Sequence, residues 1–172
     1  RDVARRVVPG IKLGFWHEVA PYADDDQNIW FNDWTTAAGQ RQSRQVMFNR
    51  RQQVVIGNAS YLYLDMPHAF HPDEPGLPWA AYIDTRRIYE FDVFANLDIA
   101  QDDQHLVAGL QAQLWSETLY APGQFDYHLF PRLIPLTEHE VRDYKVAWKR
   151  FHQAQMLGIL CSRHRRRGDD VR

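Results

Sequence analysis

Residues 54–57 read Val54-Val55-Ile56-Gly57, a fully apolar run closed by glycine. Strands with one wet face alternate apolar and polar positions, whereas a strand covered on both faces is apolar throughout. This run therefore predicts a buried parallel strand, and parallel strands need crossover connections on either side. The flanking sequence supplies them. Upstream, Ile11-Lys12-Leu13-Gly14-Phe15-Trp16 alternates with bulky residues and predicts a short strand. Residues 28–34 predict an aromatic-rich second strand, and residues 37–52, polar with scattered apolar positions, predict a solvent-facing helix. Downstream, residues 106–115 (LVAGLQAQLW) predict a fourth strand, and helical patterns follow at 124–141 and 144–160. Alternating strands and helices predict an α/β fold built on a parallel sheet.

The remaining segments punctuate that alternation. Residues 1–8 read as the end of a helix stopped by Pro9-Gly10, and Asp24-Asp25-Asp26 reads as a loop. Residues 67–78 hold four prolines with Asp73, Glu74 and Gly76, a long loop of the kind that carries function or links domains. Residues 161–172, with Arg163-His164-Arg165-Arg166-Arg167, lack apolar anchors and are expected to be a disordered tail. Composition excludes several classes. With 172 residues, 45% apolar and 24% charged, the chain is neither disordered nor a disulfide-dense miniprotein. Its apolar runs span only a few residues, too short for a transmembrane helix. Lys+Arg of 20 against Asp+Glu of 22 argues against a surface built for nucleic acid, and one cysteine builds neither an internal disulfide nor a cysteine zinc site. The unusual number is the aromatic content, 13%, with 6 Trp, 8 Tyr and 9 Phe.

Those aromatics fall at related places. Trp16, Trp34 and Trp115 each close an expected strand, and Tyr63 follows the third by a few residues. In parallel α/β folds the loops at the carboxyl ends of strands converge on one face, where ligands bind. Four aromatics at four successive strand ends would line one pocket, suited to the apolar C–H face of a sugar ring. The other reading is that each ring caps a core layer, since aromatics dominate cores. Asp33, Asp65 and Glu117 stand beside these rings and could accept hydrogen bonds from sugar hydroxyls, or else pair with Arg86, Arg87 or Arg132.

The runs Tyr61-Leu-Tyr-Leu-Asp-Met-Pro67, Trp79-Ala-Ala-Tyr-Ile-Asp-Thr-Arg86 and Gln113-Leu-Trp-Ser-Glu-Thr118, with Phe130-Pro-Arg132 and Glu138 downstream, resemble glycoside hydrolase family 20. These are the β-N-acetylhexosaminidases, and the chitobiase-like bacterial members are the nearest match. Lys12-Leu-Gly-Phe-Trp16-His-Glu and Asn32-Asp-Trp34 occupy the two preceding strand ends. The resemblance covers about residues 1–140. It implies a (β/α)8 TIM barrel, of which this chain holds strands five to eight with their helices, so that residues 1–160 form the C-terminal half. A complete barrel takes about 250 residues, and 172 accommodates roughly half of one plus a tail.

The activity implied is retaining hydrolysis of terminal N-acetylglucosamine or N-acetylgalactosamine, with the substrate's own acetamido oxygen as nucleophile, an exception to the two-carboxylate rule. Tyr63 is expected to donate its hydroxyl to the acetamido carbonyl. Trp16, Trp34 and Trp115 would box the acetamido group and the base of the sugar. Glu117 would bind the outer hydroxyls, and Trp79 would stack on the next sugar. The partners implied are N-acetylhexosamine-terminated oligosaccharides. The family's catalytic Asp-Glu pair, in a His-x-Gly-Gly-Asp-Glu-like strand end, does not occur in these 172 residues, nor does the upstream arginine that grips the sugar. The chain alone is therefore expected to be inactive, with a separate N-terminal half-barrel as its complement or a non-catalytic sugar-binding role as the alternative. The usual Arg-x-Trp after the Phe-Pro-Arg helix reads His139-Glu140-Val141, and Thr36-Ala-Ala-Gly39-Gln stands where chitobiases are Trp-rich. The family implies export to the periplasm or beyond the cell.

Other candidates are weaker. His68-Ala-Phe-His71 with Asp73 and Glu74 has the composition of a metal site, but it lies on a loop without the fixed geometry ligation wants, so no metal or cofactor is expected. No phosphate-binding glycine loop, nucleophile elbow or HExxH occurs. Neither nucleic acid nor a membrane is an expected partner.

Overall fold

The computed structural model describes residues 2–23, 28–36 and 41–137. Four strands, β1 (Leu13–Trp16), β2 (Ile29–Asp33), β3 (Gln53–Ile56) and β4 (Val107–Leu110), form one sheet in the order β1-β2-β3-β4. Every pair is parallel, with Phe31 beside Phe15 and Val54, and Ile56 beside Asp33 and Leu110. The central strands carry the core: Ile29, Phe31, Val54 and Ile56 are buried, as continuous β-branched and aromatic runs demand.

Helices connect the strands. α1 (Asp2–Val7) precedes β1, and a 3-10 helix His17–Tyr22 follows it. α2 (Arg41–Asn49) links β2 to β3. Between β3 and β4 lie α3 (Ala59–Leu62), α4 (Thr85–Tyr89), α5 (Val93–Asn96) and a 3-10 helix Gln101–Leu106. Each of the three short α-helices starts at a side-chain cap: Asn58 accepts from Ser60 N–H, Asp84 from Arg87 N–H, and Asp92 from Phe94 and Ala95 N–H.

Three sequence expectations need correction. The helix expected to face solvent over 37–52 is α2, and it is half core: Arg44, Met47 and Phe48 are buried on one face at helical spacing. The strand expected over 106–115 is β4 alone, because its partner ends early. β3 stops at Ile56, Asn58 turns the chain into α3, and pairing resumes only at a single Tyr63–Gln113 bridge. Leu64 N–H donates to Gln113 O at 2.6 Å and Gln113 N–H to Leu62 O at 3.0 Å. The helix expected over 124–141 is two, α6 (Pro122–Leu129) and α7 (Leu133–Thr137), because Pro131 has no N–H with which to continue the first. The helix expected over 144–160, the tail 161–172, residues 138–141 of the helix expected over 124–141, residues 37–40 and the Asp24-Asp25-Asp26 loop lie outside the described residues.

The carboxyl end of the sheet is drawn tight. Asn32 Nδ2 donates to Gln111 Oε1 at 2.7 Å, and Gln113 Nε2 to Asn32 Oδ1 at 3.5 Å. Gly57 sits between them. A Cβ there would lie 2.5 Å from Gln113 Nε2 and 2.7 Å from Asn32 Oδ1, so only glycine admits this approach.

Candidate functional site

Each strand leads its following residues onto the same face. Trp16 is the last residue of β1, Trp34 follows β2 directly, Tyr63 forms the isolated bridge beyond β3, and Trp115 lies two residues past that bridge's partner. Their rings meet in an arc. Trp16 and Trp115 centroids are 5.9 Å apart, Trp115 and Tyr63 6.0 Å, Tyr63 and Trp79 5.8 Å, and Trp79 and Trp34 6.5 Å. The arc lines a cavity of about 480 Å³ with Glu18, Asp65, Leu77, Glu117 and Thr118. Its size is that of a small-ligand pocket. All six residues singled out from the sequence, Trp16, Trp34, Tyr63, Trp79, Trp115 and Glu117, border this one space.

Trp16, Trp79 and Trp115 are 42%, 54% and 37% exposed, whereas Tyr63 is 4% exposed. Three tryptophan faces left open on one cavity are the signature of a surface awaiting an apolar partner. Tyr63 closes the floor. Burial pushes its hydroxyl up to about 12, with a side-chain hydrogen bond to Trp115 acting in the opposite sense and Asp65 and Glu18 adding to the rise. The phenol therefore remains a hydrogen-bond donor at any physiological pH.

Three carboxylates border the cavity at one spacing: Glu18 two residues after Trp16, Asp65 two after Tyr63, Glu117 two after Trp115. The chain leaves its strand direction directly after each ring, into the 3-10 helix His17–Tyr22 after Trp16 and into turns at Asp65 and Glu117, and brings each carboxylate to the same cavity as its ring. Glu18 was not among the residues singled out from the sequence, although this repeated spacing marks it. Its Oε1 accepts from Trp34 Nε1 at 2.6 Å, fixing the indole plane. Burial raises the Asp65 carboxyl above its ordinary value, opposed by backbone N–H groups including that of Trp115, which lies 3.4 Å from Oδ1. Asp33, the third carboxylate expected beside the rings, does not border the cavity. It points into the core, where Arg44 Nε donates to Oδ2 at 2.5 Å and Thr35 N–H to Oδ1 at 3.2 Å. Its partner is Arg44, not Arg86, Arg87 or Arg132.

Arg132 holds the turn that carries Tyr63 and Asp65. It is fully buried, and all its donors are engaged. Nε donates to His128 O at 2.9 Å, Nη1 to Met66 O at 2.8 Å and Ile83 O at 2.9 Å, and Nη2 to Leu64 O and His128 Nδ1. Desolvation lowers its pKa to about 10, which leaves it charged at neutral pH. The sequence offers Arg132 as an ion-pair partner and as part of the Phe130-Pro-Arg132 run, and a fan of backbone carbonyls leaves no local trace in either.

The loop after Met66 uses its polar groups on its neighbours. Asp73 N–H donates to His71 Nδ1 at 3.2 Å, and His68 packs on Tyr127 with ring centroids 4.6 Å apart. Among the described residues no three His, Cys, Asp or Glu side chains gather as a metal site.

Comparison with known proteins gives the geometry its setting. Residues 6–141 match the model of "Glycosyl hydrolase family 20, catalytic domain". Beta-hexosaminidase B of Pseudoalteromonas piscicida is 34% identical over 110 residues, covering 52% of this chain and 14% of that protein. N,N'-diacetylchitobiase of Vibrio harveyi is 28% identical over 172 residues, covering 84% and 19%. Among solved structures, the family 20 β-N-acetylhexosaminidase of Streptomyces coelicolor A3(2) superposes with a TM-score of 0.66 at 27% identity, over 77% of this chain and 28% of that one. A mutant Streptomyces plicatus β-hexosaminidase in complex with product GlcNAc superposes with a TM-score of 0.63 at 29% identity, over 73% and 25%. The chain thus spans less than a third of each of these relatives. Catalytic domains of this kind are TIM barrels, and the parallel sheet with its crossover helices is α/β in the same manner. The match over residues 6–141 places the chain in glycoside hydrolase family 20, the β-hexosaminidases.

Proposed function

We propose that the chain supplies the aromatic sugar pocket of a retaining β-N-acetylhexosaminidase that removes terminal N-acetylglucosamine or N-acetylgalactosamine from oligosaccharides. The observation that carries this reading is the arc of Trp16, Trp115, Tyr63, Trp79 and Trp34 around one cavity with carboxylates between the rings. In this reading β1 to β4 are strands five to eight of the barrel and residues 1–160 its C-terminal half. The indole faces of Trp16, Trp34 and Trp115 enclose the acetamido group, and the Tyr63 hydroxyl donates to its carbonyl oxygen. Held there, that oxygen attacks the anomeric carbon. Asp65 and Glu117 accept from the outer hydroxyls, and Trp79 carries the next sugar.

Departure of the leaving sugar needs a general acid within hydrogen-bond reach of the glycosidic oxygen. The family's Asp-Glu pair is absent from these 172 residues. The chain by itself therefore binds and positions N-acetylhexosamines without hydrolysing them, and turnover requires a complementary half-barrel that brings the acid. Two observations favour such a partner: β1 and β4 are edges of the described sheet, and Val3, Val7 and Val8 are exposed on and beside α1. The test is fluorescence titration of the purified chain with N-acetylglucosamine, alongside an assay with a chromogenic N-acetylglucosaminide. Saturable tryptophan quenching without turnover is expected. Trp115→Ala should weaken the binding about tenfold, as loss of one stacking face predicts. Turnover by the chain alone would overturn the division of labour, and absence of any binding would overturn the pocket assignment.

A further inference from the structure

We propose that Tyr127 and Glu74 form a latch that positions Trp79, and through it sets affinity for the second sugar of a chitin-type oligosaccharide. The loop from Pro67 to Trp79 is closed at its base, where Ile83 N–H donates to Pro67 O at 2.8 Å. Its far side is held to α6. The Tyr127 hydroxyl reaches Glu74 Oε2 at 2.8 Å and Oε1 at 2.9 Å, and Oε1 also accepts from His68 N–H at 2.8 Å. His68 Nε2 donates to Tyr127 O at 3.2 Å, so the same helical residue grips the loop through its hydroxyl and its carbonyl.

Beyond the latch the loop presses on the turn that carries Asp65. At Gly76, with φ of +109°, a Cβ would lie 2.5 Å from Asp65 O, a contact and a conformation that only glycine accepts. Leu77 and Trp79 then enter the cavity. Trp79 is 54% exposed and meets Tyr63 and Trp34 only edge-on, at interplanar angles of 81° and 76°. Its own packing is too slight to fix it, and the loop's anchorage decides where the indole stands. Tyr127 itself does not border the cavity, so it acts as a positioning residue through Glu74.

The inference rests on the sugar-pocket reading only for its ligand, and two measurements separate them. Hydrogen exchange of the 172-residue chain without ligand reads the latch directly. Tyr127→Phe should accelerate exchange across residues 67–79 about fivefold, the worth of one hydrogen bond, and Glu74→Ala, which also strips His68 N–H of its acceptor, should do at least as much. The double variant should not exceed Glu74→Ala, because that substitution already removes the interaction Tyr127→Phe removes. Unchanged loop exchange, or additive effects, would overturn the latch. Fluorescence titration with N-acetylglucosamine and with N,N'-diacetylchitobiose reads the consequence. Both variants should weaken the disaccharide and spare the monosaccharide, and equal losses for the two sugars would reduce the latch to a structural tie. Failure of the unsubstituted chain to bind either sugar overturns the pocket reading and the proposed specificity role together, while exchange still decides the latch.

Discussion

Arg132→Met tests the internal frame of the site most directly. The side chain is fully buried and donates to carbonyls of Leu64, Met66, Ile83 and His128. Methionine matches its length and removes every donor. Four buried carbonyls then lose their charged partner, and at about 1 kcal/mol for each group left wanting the loss is about 4 kcal/mol. That is in the extreme tail of single substitutions, against a native stability of about 5–15 kcal/mol for an ordinary domain. Urea unfolding followed by tryptophan fluorescence measures it. With a slope of about 2 kcal/mol/M, the midpoint should fall by about 2 M. Arg132→Lys is the sharper case. An ammonium keeps the charge but has three donors and no planar fork, so it cannot serve carbonyls spread over three segments. Lysine should therefore lose nearly as much as methionine. A lysine variant within about 1 kcal/mol of the parent would refute the fan as the source of stability, leaving charge alone as the cause.

Three further outcomes follow from the geometry. Tyr63→Phe should weaken N-acetylglucosamine binding about tenfold by removing one donor to a carbonyl; because the phenol's pKa lies at about 12, parental binding through it should be flat with pH until alkaline titration begins. Asp33→Asn leaves Arg44 buried without its counter-charge and should cost about 3–5 kcal/mol in thermal or urea unfolding, whereas a near-neutral result would mean Thr35 Oγ1 and Leu97 O suffice for the guanidinium. Burial, with Arg132 next, lowers His68 from 6.5 to about 4. The unfolded chain therefore takes up the proton first as pH falls, and the parent should lose stability between 6.5 and about 4 and level off below. His68→Gln should flatten that slope, and an unchanged slope would place the acid sensitivity elsewhere.

The legible part of this fold lies where a few adjacent residues state their surroundings. Val54, Val55 and Ile56 read as a covered strand, and Val54 and Ile56 are buried with Val55 half-buried between them; a carboxylate stands two residues after each of Trp16, Tyr63 and Trp115, where the chain turns on the carboxyl face. Less legible were lengths. Residues 111–115 read as strand because their composition suits one, but β4 ends at Leu110 where its neighbour turns away into α3. A strand's length depends on its partner, and the partner lies more than fifty residues upstream.

Local pattern by itself thus determined the parallel α/β order and the aromatic character of the carboxyl face, since both are written in periods of two to four residues. Tertiary structure alone decided which carboxylates face the cavity. Asp33 ends β2 and Asp65 stands two residues past the Tyr63 bridge, each beside a ring of the carboxyl face, yet one is consumed by Arg44 and the other borders the pocket. It also decided that Arg132 would reach back across 66 and 68 residues to the turn of Tyr63 and Asp65. The physical reason is the same in both cases: a buried charge goes to whichever partners satisfy it, and those partners are brought near only when the chain has folded.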